Sequence, residues 1–248
     1  MCLLLVAVER VPGRPLLLLG NRDEFHERAS AVAAPWADVP GVVGGRDLEA
    51  GGSWLAANRN GRFAAVTNIR LAAIRRGPRS RGDLVREFVA GDVPAAAYLR
   101  ELSAHVNDYA PFNLVVADAD GAWCFESPGA RVNALTPGVH LVSNGPLDAP
   151  WPKMQRLRAL FADAIARGAD DAALLDLLRD RATPPDGELP DTGFGLERER
   201  FLSPIFVQSV LYGTRASTLA WRGGDGRIGL RERSYDAAGR LTGDVVVD

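Results

Sequence analysis

The sequence predicts an α+β protein, a four-layer αββα sandwich, on three observations. The chain opens with two apolar runs joined by a Pro-Gly turn, as in a hairpin buried on both faces. Blocks of strand and helix periodicity then alternate: strands, two helices, strands, two helices, strands. No low-complexity linker or internal repeat divides the 248 residues, so the chain reads as one domain, 1–248. Helices on the outer faces of two stacked antiparallel sheets satisfy that order.

Each element follows in turn. Cys2 to Val8 is a continuous apolar run, Val11-Pro12-Gly13-Arg14-Pro15 is a turn, and Leu16 to Leu19 is a second strand. That strand runs out into Asn21-Arg22-Asp23-Glu24, so the hairpin returns these polar residues to the start of the chain. Ser53 to Ala57 and Phe63 to Thr67 flank Asn58-Arg59-Asn60-Gly61, a strong hairpin signal. A short amphipathic helix spans Asp83 to Ala90. Ala95, Leu99, Leu102 and Val106 recur at helical spacing behind Asp92 and Pro94, a cap and first turn. Strands return at Asn113 to Ala117, Ala122 to Glu126, Arg131 to Leu135 and Val139 to Ser143. After Pro150-Trp151-Pro152, one helical face carries Met154, Leu157, Leu160, Phe161 and Ile165, and a further helix covers Ala172 to Leu178. Residues 182–200 read as a long surface loop. Ala216 to Trp221, Arg227 to Arg233 and Leu241 to Val247 are the last strands, with Gly223-Gly224-Asp225-Gly226 as a turn.

Composition narrows the function. Hydrophobic residues are 47%, charged residues 24% and the net charge is −2, so nothing in the total favours nucleic acid or an acidic membrane. Lys153 is the only lysine, and the arginine- and alanine-rich composition points to GC-rich coding and a bacterial source. Two cysteines do not make a disulfide scaffold, and no CxxC, CxxCH or HExxH occurs, so no metal site is expected. The apolar start lacks a basic leading region and is interrupted by Glu9 and Arg10. No stretch approaches the roughly 18 apolar residues of a membrane span. A cytoplasmic protein is expected.

Cys2 is the sharpest chemical feature. Met1 removal is expected before so small a residue and leaves Cys2 with a thiol and a free α-amino group. An amine with a reference pKa near 8 can take the thiol proton, so one residue supplies nucleophile and base. A carboxylate from Asn21-Arg22-Asp23-Glu24 would hold the ammonium, and Arg22 would favour the thiolate; a structural ion pair is the other reading. Asn68, Asn144 and Arg215 stand at further strand ends, within Val66-Thr67-Asn68, Val142-Ser143-Asn144-Gly145-Pro146 and Tyr212-Gly213-Thr214-Arg215-Ala216-Ser217-Thr218. Asparagine amides suit an oxyanion, and arginine suits a substrate carboxylate.

MCLL, NRDEF, GGRDLEAGGSWLAANRNGRFAAVTN, SNGPLDAPWPKM and YGTRASTL occur in this order. From Cys2 to about Leu230 the chain resembles the NRDE family, also called the transport and Golgi organization family. That family is distantly similar to N-terminal-nucleophile hydrolases such as choloylglycine hydrolase and penicillin V acylase. The resemblance implies their fold, with Cys2, Asp23 or Glu24, Asn68, Asn144 and Arg215 in catalytic places. Asn21, Arg22, Glu24 and Thr67 are then expected against the substrate. Those hydrolases place an arginine three residues before their aspartate, whereas Arg22, Asp23 and Glu24 are consecutive here.

The resemblance implies one of two functions. The first is a cysteine-dependent hydrolase or acyltransferase acting on an amide or thioester bond, with no cofactor required. The second is a non-catalytic carrier of haem, acyl-CoA or lipid, with haem as cargo. Arg70, Arg75, Arg76, Arg79 and Arg81 form either a solvated loop or a grip on phosphates or propionates. His26, His105, His140 and Cys124 are the possible haem ligands, none in a haem motif; His105, His140 and Cys124 also read as packed residues.

Overall fold

A computed structural model describes residues 2–71 and 77–247. The N-terminal hairpin is β1 (Cys2–Val11) and β2 (Arg14–Phe25). The second strand is longer than expected: Asn21 to Glu24 lie inside β2, because the neighbouring late strand continues their hydrogen-bond ladder. Two further strands, β3 (Ser30–Pro35) and β4 (Val42–Asp47), occupy a stretch with no strand pattern. There follow β5 (Leu55–Asn58), β6 (Arg62–Asn68), α1 (Arg81–Ala90), α2 (Ala95–His105), β7 (Phe112–Asp118), β8 (Gly121–Glu126), β9 (Arg131–Ala134) and β10 (Gly138–Val142). The last third holds α3 (Pro152–Ala166), α4 (Asp171–Leu177), α5 (Leu196–Phe201), β11 (Tyr212–Arg222), β12 (Ile228–Tyr235) and β13 (Leu241–Val247). The expected loop at 182–200 therefore ends in a short helix, α5.

The strands form two antiparallel sheets, ordered β10-β1-β2-β11-β12-β13 and β3-β4-β5-β6-β7-β8-β9. Alternate residues of β1 separate the layers. Leu4 and Val6 join Leu16, Leu18, Phe63, Val115 and Cys124 between the sheets. Leu3, Leu5 and Ala7 face α3 and α4, with Leu157, Phe161 and Leu174. The other sheet packs Ala64, Leu114 and Val116 against Leu84, Phe88 and Leu99 of α1 and α2. The result is the four-layer αββα sandwich. It explains why the strands read as unbroken apolar runs, since both faces of each sheet are covered. Among the described residues no helix is long and apolar enough to cross a membrane.

β4 was illegible because its glycines are chosen for close approach. A Cβ on Gly44 would sit 2.7 Å from the Leu55 carbonyl oxygen, and one on Gly45 2.1 Å from the Trp54 ring. The bare backbone of β4 thus lets Trp54 lie flat beside the site described next.

Candidate functional site

Cys2 starts β1 opposite Arg22, and Ser143 Oγ donates to its backbone oxygen at 3.1 Å. It borders a cavity of ≈290 Å³ whose walls include Arg22, Asp23, Glu24, Asn68 and Arg81. Larger hollows, of ≈570, ≈590 and ≈660 Å³, lie elsewhere and contain neither cysteine. Burial pushes the Cys2 thiol up, and the Arg22 guanidinium only partly opposes this.

Asp23 is 2% exposed. Burial raises its carboxyl, while Lys153 and a hydrogen bond from Thr214 hold it back. Thr214 Oγ1 donates to Asp23 Oδ1 at 2.7 Å, and Tyr212 Oη donates to the Asp23 carbonyl at 2.9 Å. Of the two consecutive carboxylates, Asp23 is the one built into the protein. Glu24 is half-buried, accepts from the Phe25 N–H at 2.9 Å and lies 3.9 Å from Arg28. Arg22 stacks on Trp54, its Cζ 4.5 Å from the ring centroid, and its Nη1 is buried with no hydrogen-bond partner among the described residues.

Asn68, at the end of β6, lines the cavity. Asn144 does not reach the wall: its Nδ2 donates to the Asn68 carbonyl at 2.8 Å, and its own carbonyl accepts from the Arg70 N–H at 2.7 Å. Thr67 likewise supports rather than lines this cavity, donating from Oγ1 to the Ser143 carbonyl at 2.5 Å. Asn21 sits on the helix-facing side of β2. Its Nδ2 donates to the Leu178 and Ile205 carbonyls, both at 2.9 Å, and its Oδ1 accepts from Ser217 at 2.6 Å. Arg215 is an extra residue between Thr214, which pairs with Asp23, and Ala216, which pairs with Arg22. This bulge re-aims its side chain. The guanidinium donates to the Phe25 and Arg28 carbonyls at 2.9 and 3.0 Å, bracing the end of β2 outside the cavity.

Four residues escaped the sequence reading. Lys153 is 5% exposed on α3, and its Nζ donates to the Leu202 carbonyl at 3.2 Å. Burial pulls its ammonium down to about 8, against the pull of Asp23. Its being the only lysine, inside SNGPLDAPWPKM, was the available signal. Asn113, opposite Thr67 on β7, donates to the Gly145 carbonyl at 2.8 Å and the Ser143 carbonyl at 3.3 Å. Tyr212 and Thr214 lay in a segment where Arg215 drew notice instead. Of the arginine group, Arg70 is a buried ion pair with Glu199, Arg79 pairs with Glu87, and Arg81 begins α1 on the cavity wall. Arg75 and Arg76 lie outside the described residues.

The possible haem ligands stand apart from the cavity. His26 is 3.1 Å from the Ser209 carbonyl, His140 is held by Asp148 at 3.0 Å, and Cys124 is buried between the sheets. His105 is exposed, 3.9 Å from Asp108. No group of three or more His, Cys, Asp or Glu placed to hold a metal occurs among the described residues.

The layers and the hairpin that opens the chain are those of the N-terminal-nucleophile hydrolase fold. Two crystal structures of conjugated bile acid hydrolase from Clostridium perfringens share it. The C2A mutant matches with a TM-score of 0.56 at 10% identity, and the R18L variant with 0.52 at 11%; each covers 100% of this chain and 92% of that one. At those identities the likeness concerns the fold alone. The family model for Transport and Golgi organisation 2 matches residues 1–237, and the chain belongs to that family. It is 33% identical over 238 residues to the Transport and Golgi organization protein 2 homolog of Bos taurus and 32% over 241 residues to that of Homo sapiens. Each match spans 88% of this chain and 86% of the relative.

Proposed function

We propose that the protein is a cysteine-dependent hydrolase or acyltransferase acting on an amide or thioester bond. The observation that carries this reading is the register Cys2–Arg22, which sets the first cysteine of the chain on a cavity beside a built-in carboxylate, Asp23. In this reading Met1 is removed and the α-amino group of Cys2 takes the thiol proton. Sulfur attacks the acyl carbon, a C–S bond forms, and the C–N or C–S bond breaks as the proton passes to the leaving group. Water or a second acceptor then cleaves the acyl-enzyme. Asp23 holds the ammonium, and the Asn68 amide faces the developing oxyanion. Both cysteines are free thiols, which suits a cytoplasmic, reducing setting.

A second reading has one observation behind it. Burial raises the Cys2 thiol, which works against thiolate at neutral pH and suits a carrier of haem, acyl-CoA or lipid. The deciding measurement is intact mass before and after exposure to p-nitrophenyl acetate and an acyl thioester. The catalytic reading expects loss of Met1, one acyl adduct on Cys2 and none on Cys2→Ala. Cys2→Ser is expected to bind without turnover, and Asn68→Ala to lose on the order of 10²-fold in rate. Tight binding of haem or acyl-CoA, unchanged in Cys2→Ala and without product from any amide, ester or thioester, establishes the carrier instead.

A further inference from the structure

The cationic groups on the cavity wall divide into two kinds. Arg28 is neutralised by Asp47 at 2.7 Å and Glu49 at 3.1 Å, and Arg79 by Glu87. Arg22 and Arg81 have no carboxylate within ion-pair distance among the described residues. Arg22 is 5% exposed, and its Nη1 is buried without a hydrogen-bond partner among the described residues although it stands on a wall that could receive one. Trp54 fixes the plane of its guanidinium. Among the described residues Arg81 makes one long hydrogen bond, from Nη1 to the Pro111 carbonyl at 3.3 Å. It is also the first residue of α1, and Ser80, Arg81 and Gly82 present the N-terminal turn of that helix to the same cavity. A helix N-terminus carries partial positive charge, and a buried donor without an acceptor is costly. Both features have the same remedy. The carboxylates on the wall do not supply it: Asp47 is held by Arg28, Asp23 by Thr214, and Glu24 by the Phe25 N–H.

We propose that the cavity beside Cys2 contains an anion subsite formed by Arg22, Arg81 and the first turn of α1, and that the ligand carries a carboxylate or phosphate there. The planar forks of two guanidinium groups match the paired oxygens of either anion. That the ligand is also an acyl compound rests on the proposed function; the subsite itself does not. On both counts the substrate class is an acyl compound with an anionic group close to the scissile bond.

Two alkylating agents of matched size, anionic iodoacetate and neutral iodoacetamide, read the subsite through Cys2. The ratio of their rates at Cys2, followed by peptide mapping, is expected to exceed the ratio for glutathione by about tenfold. Iodoacetate labelling should saturate. Arg81→Gln should return the ratio toward that of glutathione, and Arg81→Lys should keep part of the excess. A glutathione-like ratio in the wild type, or one unchanged by Arg81→Gln, overturns the proposal. Calorimetric titration with acetate and with inorganic phosphate reads the subsite without using the thiol. Binding of either anion, weakened about tenfold or more by Arg81→Gln and retained in Cys2→Ala, supports the subsite and says which anion it takes. Absence of binding by both anions in the wild type overturns it. Failure of Cys2 to form an acyl adduct with these anions still bound removes the enzymatic reading and leaves the subsite standing.

Discussion

Lys153 enters the site from α3 with a desolvated ammonium, one carbonyl acceptor and Asp23 as the main charge that keeps it protonated. Three donors with one acceptor among the described residues is a poor arrangement for stability, so its place is better explained by its effect on Asp23. The linkage has a definite sign. The folded value is about 8 against 10.5 for the free side chain, so between these the unfolded chain binds more protons and stability rises with pH. Lys153→Met keeps the apolar stem and removes that dependence. Relative to the variant, the wild type should gain on the order of 3 kcal/mol between pH 8 and 10.5, read by urea unfolding. The variant should be no less stable at pH 7. Its Asp23 should titrate higher, moving the acid limb of Cys2 alkylation upward. Parallel stability profiles for both proteins would refute this account of Lys153.

At the scale of elements, two strand pairs place the chemistry. β1 and β2 bring Cys2 to Arg22, and β2 with β11 bring Asp23 to Thr214, with Arg215 bulged outward between them. A third pair, β6 with β7, sets Asn113 beside Thr67, and both clamp the carbonyl of Ser143. This clamp holds the segment that carries Asn144, which in turn fixes Asn68 through its carbonyl. Asn113→Ala leaves the Gly145 carbonyl without its donor. It should cost about 1–3 kcal/mol in unfolding free energy. It should also lower Cys2 acylation through a misplaced Asn68. Full acylation rate in a destabilised Asn113→Ala would show that the clamp serves folding alone.

At the scale of the molecule, the two sheets are joined by a buried carboxylate as well as by apolar packing. Glu232 of β12 is 1% exposed, accepts from the Ala33 N–H of β3 at 2.8 Å and from Thr218 Oγ1 at 2.9 Å, and has Arg22 as its nearest acting charge. Burial pushes it up to about 7 from an ordinary 4.5. The native state therefore binds more protons than the unfolded chain between pH 4.5 and 7, and stability falls as pH rises through that window. Glu232→Gln keeps the acceptor and removes the charge. It should be more stable than the wild type at pH 7.5, on the order of 3 kcal/mol, with the difference shrinking toward pH 4.5. Equal thermal unfolding curves for the two proteins at both pH values would show that folding does not raise the Glu232 carboxyl.

Apolar runs such as Leu3 to Ala7 and Leu16 to Leu19, the Asn58–Gly61 turn and the helical spacing of Met154, Leu157 and Phe161 determined the layers, because each encodes its own period and burial locally. The same local logic returned NRDE to Cys2, since a tight hairpin fixes its own register. The tertiary structure alone decided what could not be read from neighbours in sequence. β4 carries two glycines whose value lies in the close approach of Leu55 and Trp54. Asp23 was separated from Glu24 by strand pairing with Thr214, and Arg215 was turned away from the cavity by a one-residue bulge. Lys153 acts on Asp23 across 130 positions of chain, and Asn113 holds the Ser143 carbonyl across 30, where periodicity carries no information. The cost of burying a charge or an amide depends on which groups face it, and only the folded chain supplies those.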